Sequence, residues 1–495
     1  MDVFPSGTEH LLTCAEMARA DAYAVEHGVP GTTLMAHAGA AVATAIRRRY
    51  RPRPVLVLAG PGNNGGDGWV VARDLADHGW EVRIASLGDP AALKGDAAWA
   101  RSLWNGPVES IHPHTLDGAG IVVDALFGAG LTRAVDGVAA EALRALADRV
   151  EAGSAVSVAV DVPSGVDGNT GVVRGVAARA DLTVTFFRRK PGHLLLPGRA
   201  LCGTVRVADI GIPEAVLGRI RPSTAVNGPA VWRAALGERL SSDHKYRRGH
   251  VVVVGGPMSG AARLAVGAAR RAGVGLATAA VPHGATALFA GDSPGVIVRE
   301  ADGPQALARL LTDKRYSGIV IGPGLGGGDR PHALTAVALH AKRPLVLDAD
   351  GLNTFDGRVG DLAASIAAPT VLTPHEGEFR RLFPAVHPSV AGKLAAARLS
   401  AHETGAVTLL KGADTVIASP DGRSVIVENA PPTLATAGSG DVLAGLIGGL
   451  LARGVPAFEA AAAGAWIHGE AARAAGSSVL AEDLVARIGP IAEAL

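Results

Sequence analysis

The stretch Ala437-Gly438-Ser439-Gly440-Asp441-Val442-Leu443-Ala444-Gly445 places a glycine-rich turn and one carboxylate directly before an apolar run. A helix that begins in this turn directs unpaired backbone N–H groups and the positive end of its dipole at an anion. The glycines let the backbone approach a phosphate closely, and Asp441 can accept a proton from a hydroxyl held in front of it. The stretch therefore indicates a site where a hydroxyl attacks a phosphoryl group.

Three further segments with glycines lie upstream: Gly322-Pro323-Gly324-Leu325-Gly326, Thr373-Pro374-His375-Glu376-Gly377-Glu378 and Lys411-Gly412-Ala413-Asp414-Thr415. Together with the Asp441 turn, and in this order, they resemble the ribokinase-like superfamily. Within it, the resemblance is to the ADP/ATP-dependent NAD(P)H-hydrate dehydratases. Sugar and vitamin kinases of the superfamily tend to carry Asn-x-x-Glu where this chain has His375 to Glu378, and this difference favours the dehydratases.

Length and composition restrict the possible classes of protein. A chain of 495 residues is long enough for two domains. A net charge of +1, with acidic and basic residues interspersed, gives no reason to expect a nucleic-acid or membrane partner. Two cysteines fit a reducing cytosol, and neither a secretory signal nor a membrane span is visible. We expect a cytoplasmic protein that acts on small molecules and forms a homo-oligomer.

The hydrophobic pattern predicts an α/β fold, because short runs rich in Val, Ile and Leu alternate with alanine-rich segments of helical length. The first series of runs covers residues 54–59, 81–85, 121–126 and 155–160. The second covers residues 251–254, 318–321, 344–347, 370–372 and 406–410. We predict two doubly wound domains, a Rossmann-like three-layer sandwich over residues 1–220 and, by resemblance, a ribokinase-like domain over residues 235–495. The boundary is expected between residues 215 and 240.

The first predicted domain has a glycine-rich loop of its own, Gly60-Pro61-Gly62-Asn63-Asn64-Gly65-Gly66-Asp67-Gly68, after its first strand. Its spacing satisfies the dinucleotide-binding fingerprint, with Asp89 as a possible acid for the ribose. Asp67 argues against a plain dinucleotide site, because a carboxylate in a phosphate-facing loop would repel the ligand. A bound cation, or a hydroxyl held by the carboxylate, would remove that objection.

Oxygen ligands for a cation follow two other predicted strands. Asp124 ends one strand, and Asp161-Val162-Pro163-Ser164-Gly165 follows another. The carboxyl ends of strands in an open α/β sheet converge on one crevice. Asn64, Asp124 and Ser164 would together suit a hard cation and offer no soft ligand for zinc.

These segments, with the run from Thr183 through Lys190 and His193 to Pro213, resemble the NAD(P)H-hydrate epimerase family. The resemblance implies that Asn64, Asp124 and Ser164 bind potassium and that Asp161 is the catalytic acid/base. It also implies that the hydrated nucleotide contacts Asp161 and two loops: Asn63, Asn64, Gly65, Gly66 and Asp67, and Gly128, Ala129, Gly130, Leu131, Thr132, Arg133 and Ala134. The chain departs from the family at Ala36, where Glu is usual, and at Ala129, where Thr is usual.

The resemblance of the second domain implies a dehydration driven by ADP, which yields AMP and phosphate. Asp441 would deprotonate the hydroxyl of hydrated NAD(P)H for attack on the terminal phosphate, and magnesium would accompany the nucleotide. The residues implied for the hydrate site are Ala261, Gly324, His375 and Asp441. Those implied for the nucleotide are Lys411, Gly412, Ala413, Asp414, Thr415 and Gly440.

Three hypotheses follow. The favoured one is a bifunctional repair enzyme that interconverts the R and S hydrates of NAD(P)H and dehydrates the S form. The second is a phosphotransferase acting on a small hydroxylated vitamin precursor, fused to a nucleotide-binding module. The third is a binding or scaffold protein, against which the presence of Asn64, Asp161 and Asp441 argues. The sequence leaves open ADP or ATP, NADH or NADPH hydrate, and the size of the oligomer.

Overall fold

The computed structural model describes residues 3–237 and 245–495. They divide into two compact units, His10–Thr224 and Ala225–Leu495, and the segment Val3–Glu9 belongs with the second unit. The Phe4 side chain of that segment is 4% exposed and lies in the core of the second unit. The domain limits at 220 and 235 remain a prediction, and residues 238–240 of the expected boundary lie outside the described residues.

The first unit alternates strands and helices along the chain. Its strands are β1 (His10–Leu11), β2 (Val55–Ala59), β3 (Val82–Ser86), β4 (Val108–Ser110), β5 (Ile121–Ala125), β6 (Val156–Val160), β7 (Leu182–Phe186) and β8 (Thr204–Ala208). Its helices are α1 (Cys14–Glu26), α2 (Gly31–Arg49), α3 (Asn63–Asp77), α4 (Gly95–Ser102), α5 (Gly137–Glu151), α6 (Gly198–Leu201) and α7 (Val216–Ile220).

Strands β2 to β8 form one sheet in the order β4-β3-β2-β5-β6-β7-β8, and neighbouring strands pair in parallel. Alternate residues of each strand face opposite sides of a sheet. Val55 and Val57 accordingly pack in the same core cluster as α1 to α4, while Leu56 and Leu58 pack in a second cluster with α5. Both faces are buried, as the continuous apolar runs predicted.

The second unit repeats this architecture over a longer sheet. Its strands are β9 (Thr224–Val226), β10 (His250–Val254), β11 (Leu276–Val281), β12 (Ile297–Glu300), β13 (Gly318–Ile321), β14 (Leu345–Leu347), β15 (Thr370–Leu372), β16 (Val407–Leu410), β17 (Val416–Ala418) and β18 (Ser424–Ile426). Its helices are α8 (Pro229–Trp232), α9 (Ser259–Arg271), α10 (Thr286–Asp292), α11 (Pro304–Leu311), α12 (Asp329–His340), α13 (Ala349–Asn353), α14 (Val359–Ser365), α15 (Glu376–Leu382), α16 (Pro388–Ala391), α17 (Lys393–Thr404), α18 (Ser439–Ala452), α19 (Ala457–Ala475) and α20 (Ala481–Glu493).

The strands of the second unit run in the order β9-β18-β17-β16-β15-β14-β13-β10-β11-β12. Pairing is parallel from β16 to β12, whereas β16, β17 and β18 pair antiparallel. Helix α18 lies in the centre of the core. A Cβ atom at Gly445 would come within 2.1 Å of the Ala265 carbonyl oxygen on α9, so glycine permits this close packing of the two helices. Close packing fixes the start of α18 against the sheet.

The predicted fold class is confirmed, because both units are α/β with parallel sheets. The predicted strands agree with the observed ones to within about a residue at each end. Among the helices of the described residues, we find none that combines the length and hydropathy needed to cross a bilayer.

Candidate active sites

A cavity of about 710 Å³ opens in the first unit beside the carboxyl ends of β2, β5 and β6. This is the crevice in which open α/β sheets bind ligands. Predicted site residues that line it are Asn63, Asn64, Asp67, Gly128, Ala129, Gly130, Leu131, Thr132, Arg133 and Asp161. Predicted site residues outside its lining are Gly65, Gly66, Asp124, Ala134 and Ser164.

Gly65 serves the cavity indirectly, through the packing of the loop that begins α3. A Cβ atom at Gly65 would come within 1.9 Å of the Gly60 carbonyl oxygen, and one at Gly60 within 1.8 Å of the Leu126 carbonyl oxygen. The helix therefore begins directly against the end of β5. Asp89, the possible ribose acid, accepts a hydrogen bond from the Ala91 N–H at 2.9 Å and so caps a short turn.

Asp161 is the most constrained side chain of the cavity. Its backbone has a φ of 67°, in the left-handed region that non-glycine residues rarely occupy. One carboxylate oxygen accepts hydrogen bonds from the Lys190 ammonium and from the Thr185 hydroxyl, the latter at 2.8 Å. The other accepts from the Ala129 N–H at 3.2 Å. Burial raises the pKa of Asp161, but Lys190, with smaller contributions from His193 and Thr185, outweighs this effect, so the pKa is lowered and the carboxylate stays ionised.

His193 links the backbones of Lys190 and Asp161 by two hydrogen bonds. Its Nδ1 accepts a hydrogen bond from the Lys190 backbone N–H at 2.9 Å, so Nε2 carries the proton and donates to the Asp161 carbonyl oxygen at 2.8 Å. Burial lowers the pKa of His193 to about 4, which keeps the ring neutral. Lys190 and His193 belong to the run that resembles the epimerase family, but the sequence alone indicated no role for either residue.

The three residues expected to bind potassium meet at one turn. The Ser164 hydroxyl donates to Asp124 and accepts from the Phe127 N–H at 2.8 Å. The side-chain oxygen of Asn64 would lie 3.0 Å from a Cβ atom at Gly128, the residue that follows Phe127. The amide nitrogen of Asn64 is buried and has no hydrogen-bond partner among the described residues. Asp124 thus bonds to Ser164, Ser164 bonds to Phe127, and the Asn64 side-chain oxygen lies beside Gly128. Carboxylate, hydroxyl and amide oxygens are a donor set that fits a hard cation.

Among the acidic or nucleophilic side chains of this cavity that sequence reasoning missed are Cys14 and Asp21 on α1. The Cys14 thiol donates to the Ala129 carbonyl oxygen at 3.0 Å. Burial raises the pKa of Asp21 to about 6. The sequence contained no signal for either residue, because α1 reads as an ordinary amphipathic helix and its placement over the cavity depends on the tertiary fold.

In the second unit, Asp441 lies in the first turn of α18, after Gly438 in the left-handed conformation. The Lys411 ammonium donates to Asp348 at 2.8 Å and would lie 3.5 Å from a Cβ atom at Gly440. A fixed cation is therefore adjacent to the helix start. Burial, and then the charge of Asp348, raises the pKa of Asp441 to about 6, although Lys411 opposes the rise. Asp441 thus has the basicity of a general base that works near neutral pH.

Lys411 is surrounded by carboxylates. Besides Asp348, Glu378 lies 3.9 Å from its ammonium nitrogen. Burial lowers the pKa of Lys411, but Asp348 and Glu378 together have the larger effect. The pKa is therefore raised overall, and the ammonium stays charged. The side chains of Asp348 and Glu378 are themselves buried. Sequence reasoning missed Asp348, whose position at the end of β14 was the available signal.

The other predicted residues of the second unit have mixed surroundings. Ala261 and Gly324 are neighbours, since a Cβ atom at Gly324 would lie 3.2 Å from that of Ala261. His375 caps α15, where its Nδ1 accepts from the Glu378 N–H at 3.2 Å, and its side chain is 54% exposed. Asp414 accepts a hydrogen bond from the Lys393 ammonium at 2.6 Å.

The loop Lys411 to Thr415 is closed by its own side chains. The Thr415 hydroxyl donates to the Gly412 carbonyl oxygen at 2.7 Å and accepts from the Gly412 N–H at 3.1 Å. Together with the Lys393–Asp414 ion pair, these bonds give the loop a defined shape beside the start of α18. A loop of this kind can bind an anionic nucleotide with little reorganisation.

Comparison with known proteins gives consistent matches for both units. Residues 251–489 match the family described as NAD(P)H-hydrate dehydratase, and residues 31–192 match the family described as YjeF-related protein N-terminus. The bifunctional NAD(P)H-hydrate repair enzyme Nnr of Salinibacter ruber is 38% identical over 97% of this chain and 96% of its own length. The enzyme of the same name from Moorella thermoacetica is 38% identical over 96% and 95%. A solved structure, the Bacillus subtilis ADP/ATP-dependent NAD(P)H-hydrate dehydratase crystallised with ATP and Mg²⁺, is 29% identical over 53% of this chain and 95% of its own, with a TM-score of 0.48.

Proposed function

We propose catalytic and binding roles for individual side chains of this chain, which belongs to the family of bifunctional NAD(P)H-hydrate repair enzymes. The chain is an NAD(P)H-hydrate epimerase in its first unit and an ADP/ATP-dependent NAD(P)H-hydrate dehydratase in its second. The alternative of a vitamin-precursor kinase is not favoured. The residue assignments, the choice of ADP and the potassium site are our proposals.

Asp441 is the general base of dehydration. It takes the proton of the hydrate's hydroxyl, whose oxygen then attacks the terminal phosphorus of ADP and releases AMP. Phosphate leaves the ring carbon as a far better leaving group than hydroxide, a proton is lost from the neighbouring ring carbon, and the dihydropyridine is restored. The position of Asp441 in the first turn of α18, with the Lys411 ammonium beside Gly440, is the observation that carries this proposal.

The nucleotide binds between the loop Lys411 to Thr415 and the start of α18. Lys411 neutralises charge on the transferred phosphoryl group, and backbone N–H groups at Gly440 bind its oxygens. Among the described residues, no cluster of three His, Cys, Asp or Glu side chains is arranged as a metal cage. Magnesium that accompanies a nucleotide is held largely by phosphate oxygens and water, with one or two carboxylates. Asp348 and Glu378, 2.8 and 3.9 Å from the Lys411 ammonium, are the nearby carboxylates that would serve.

The direct test of this assignment is the release of free phosphate from ADP in the presence of hydrated NADH and magnesium. We expect stoichiometric phosphate, AMP and NADH, and no lasting phosphorylated product. Accumulation of a phosphorylated hydrate, or transfer of phosphate to a vitamin precursor in place of release, would contradict the proposal.

Dehydration should depend on pH through Asp441. Its pKa of about 6 is above the ordinary value of 3.8, so protonation removes the base below about pH 6. We expect the rate with saturating ADP to be roughly tenfold lower at about pH 5 than on its plateau above about pH 7. A rate of phosphate release that stays flat across this range would contradict the role of Asp441.

Asp161 is the acid/base of epimerisation in the first unit. Its three hydrogen-bond donors hold one carboxylate orientation, and the ion pair with Lys190 keeps it ionised. Loops 63–67 and 128–134 surround the hydrated nucleotide, and the N–H groups at the start of α3 bind its phosphates. The shared cavity supports this assignment for most of the predicted residues.

Asn64, Asp124 and Ser164 are the residues that would hold a potassium ion in this unit. A cation there would compensate the charge of Asp124 and orient the loop that follows. It would also bring a positive charge towards the nucleotide phosphates.

Epimerisation by the parent enzyme should therefore slow when potassium is replaced by tetramethylammonium, by roughly a hundredfold if the ion positions the substrate. The Asn64→Ala variant should epimerise the hydrate slowly in both media, because it lacks one of the oxygen ligands proposed for potassium. Dehydration of the pure S hydrate by Asn64→Ala should match the parent in the same medium, which provides the control. Equal epimerisation rates for the parent enzyme in the two media would contradict the potassium site.

A further inference from the structure

Asp67 on α3 has unusual surroundings for a carboxyl group. Its side chain lines the first unit's cavity, and the residue is only 9% exposed. Nevertheless, it accepts no hydrogen bond from any residue in 3–237 or 245–495. An ionised carboxylate without a partner is costly to bury, so such a group keeps its proton. Burial, followed by the negative charges of Asp161 and Asp21, raises the pKa of Asp67 well above its usual range.

Asp161, in the same cavity, has the opposite environment. It accepts hydrogen bonds from Lys190, Thr185 and Ala129, while none of these groups bonds to Asp67. One cavity therefore contains a carboxyl group that holds its proton and a carboxylate that has lost it. Two titratable groups whose environments drive their pKa values apart are the usual arrangement for an acid and a base that act in one reaction.

The reaction proposed for this unit requires such a pair. The hydroxyl of hydrated NAD(P)H is attached to the ring carbon next to the ring nitrogen. Its configuration inverts if the hydroxyl leaves from one face, the nitrogen lone pair forms an iminium ion, and water adds to the other face. Hydroxide is a poor leaving group, so departure needs an acid. The adding water needs a base on the other side.

We propose that Asp67 is the catalytic acid of epimerisation and that Asp161 is its base, an inference that rests on the epimerase function proposed for this unit. Asp67 gives its proton to the hydroxyl as the carbon–oxygen bond breaks and water departs. Asp161 takes a proton from the water that forms the new carbon–oxygen bond. Each inversion leaves the proton on Asp161, and it returns to Asp67 before another turnover in the same direction.

Three charged groups on the wall of the same cavity affect the protonation of Asp67. Asp161 and Asp21 raise its pKa, and Lys190 lowers it. The other titratable groups on the cavity wall are Cys14, Asp96 and Arg133.

The test uses the full chain with Asp67→Asn, which keeps the size of the side chain and removes its proton. The kcat for interconversion of the R and S hydrates should fall roughly a hundredfold to ten-thousandfold, and KM should change little. The parent rate should fall on the alkaline side as Asp67 ionises, and this limb should be missing in the variant. The matched control, Asp77→Asn, changes an exposed carboxylate on the same helix and should behave like the parent.

Two further results complete the test. In heavy-oxygen water, each inversion by the parent enzyme should incorporate one oxygen atom from solvent. A kcat for Asp67→Asn within tenfold of the parent, a loss confined to KM, or inversion without oxygen uptake would overturn the proposal. If Asp161→Asn epimerises normally while Asp67→Asn does not, the proposed role of Asp161 fails independently. A parent enzyme that does not interconvert the hydrates would refute the epimerase function itself.

Discussion

The Asp441→Asn variant is expected to lose dehydration by roughly a hundredfold to ten-thousandfold while it still binds ADP, because a general base contributes about that much to rate. We expect ADP binding to persist because the groups proposed to bind it, the loop Lys411 to Thr415 and backbone N–H groups, are left in place by the substitution. Phosphate release measures the loss, and calorimetry measures the affinity for ADP. The exposed Asp361→Asn is a matched control in the same unit.

The loss in Asp441→Asn should not reflect unfolding. The carboxyl group has a pKa of about 6 in the folded chain against 3.8 ordinarily, so its ionisation opposes folding as pH rises through this interval. Asparagine carries no charge to bury, and the variant should melt at the parent's temperature or above it near neutral pH. Phosphate release within tenfold of the parent, or loss of ADP binding in step with activity, would contradict the role given to Asp441.

The second large effect is expected for Asp161→Asn, in which the rate of epimerisation should fall roughly a hundredfold to ten-thousandfold. Asparagine tolerates the left-handed backbone of this position better than alanine would, so it is the appropriate replacement. A mixed R and S hydrate preparation should be consumed completely by the parent enzyme with ADP and magnesium. The variant should consume the S fraction and then continue only at the slow spontaneous rate of epimerisation.

Asp161→Asn also leaves the Lys190 ammonium buried without its carboxylate, which by itself can destabilise the first unit. The double variant Asp161→Asn with Lys190→Met removes both charges and controls for this effect. Both variants should dehydrate the pure S hydrate at the parent's rate. Rapid single-phase consumption of both epimers by either variant would show that epimerisation does not depend on Asp161.

The strands could be predicted because a parallel strand that is covered on both faces is a continuous apolar run, as at β2 and β13. The strand β11 was not among them, since Leu276 to Val281 is rich in alanine and reads equally well as helix. The strands β17 and β18, which pair antiparallel, were also not among the predicted strands.

The site residues divide along similar lines. Asp161 and Asp441 could be singled out as candidates because each follows directly on a recognisable strand or turn, and Asp161, at the carboxyl end of β6, lines the cavity of the first unit. Asp21 could not, because it lies on a helix whose position over the cavity is decided by packing. The lack of partners around Asp67 is likewise a property of the folded environment. Local sequence contains no measure of which donors reach a carboxyl group.

The most direct test of the division of labour mixes two separately purified variants, Asp161→Asn and Asp441→Asn, and offers them R and S hydrates with ADP and magnesium. Asp161→Asn alone should stop after the S fraction, and Asp441→Asn alone should release almost no phosphate. Together they should consume both epimers completely, because one interconverts the hydrates in solution and the other dehydrates the S form. A mixture that stops where Asp161→Asn stops by itself would contradict the assignment of epimerisation and dehydration to these two sites.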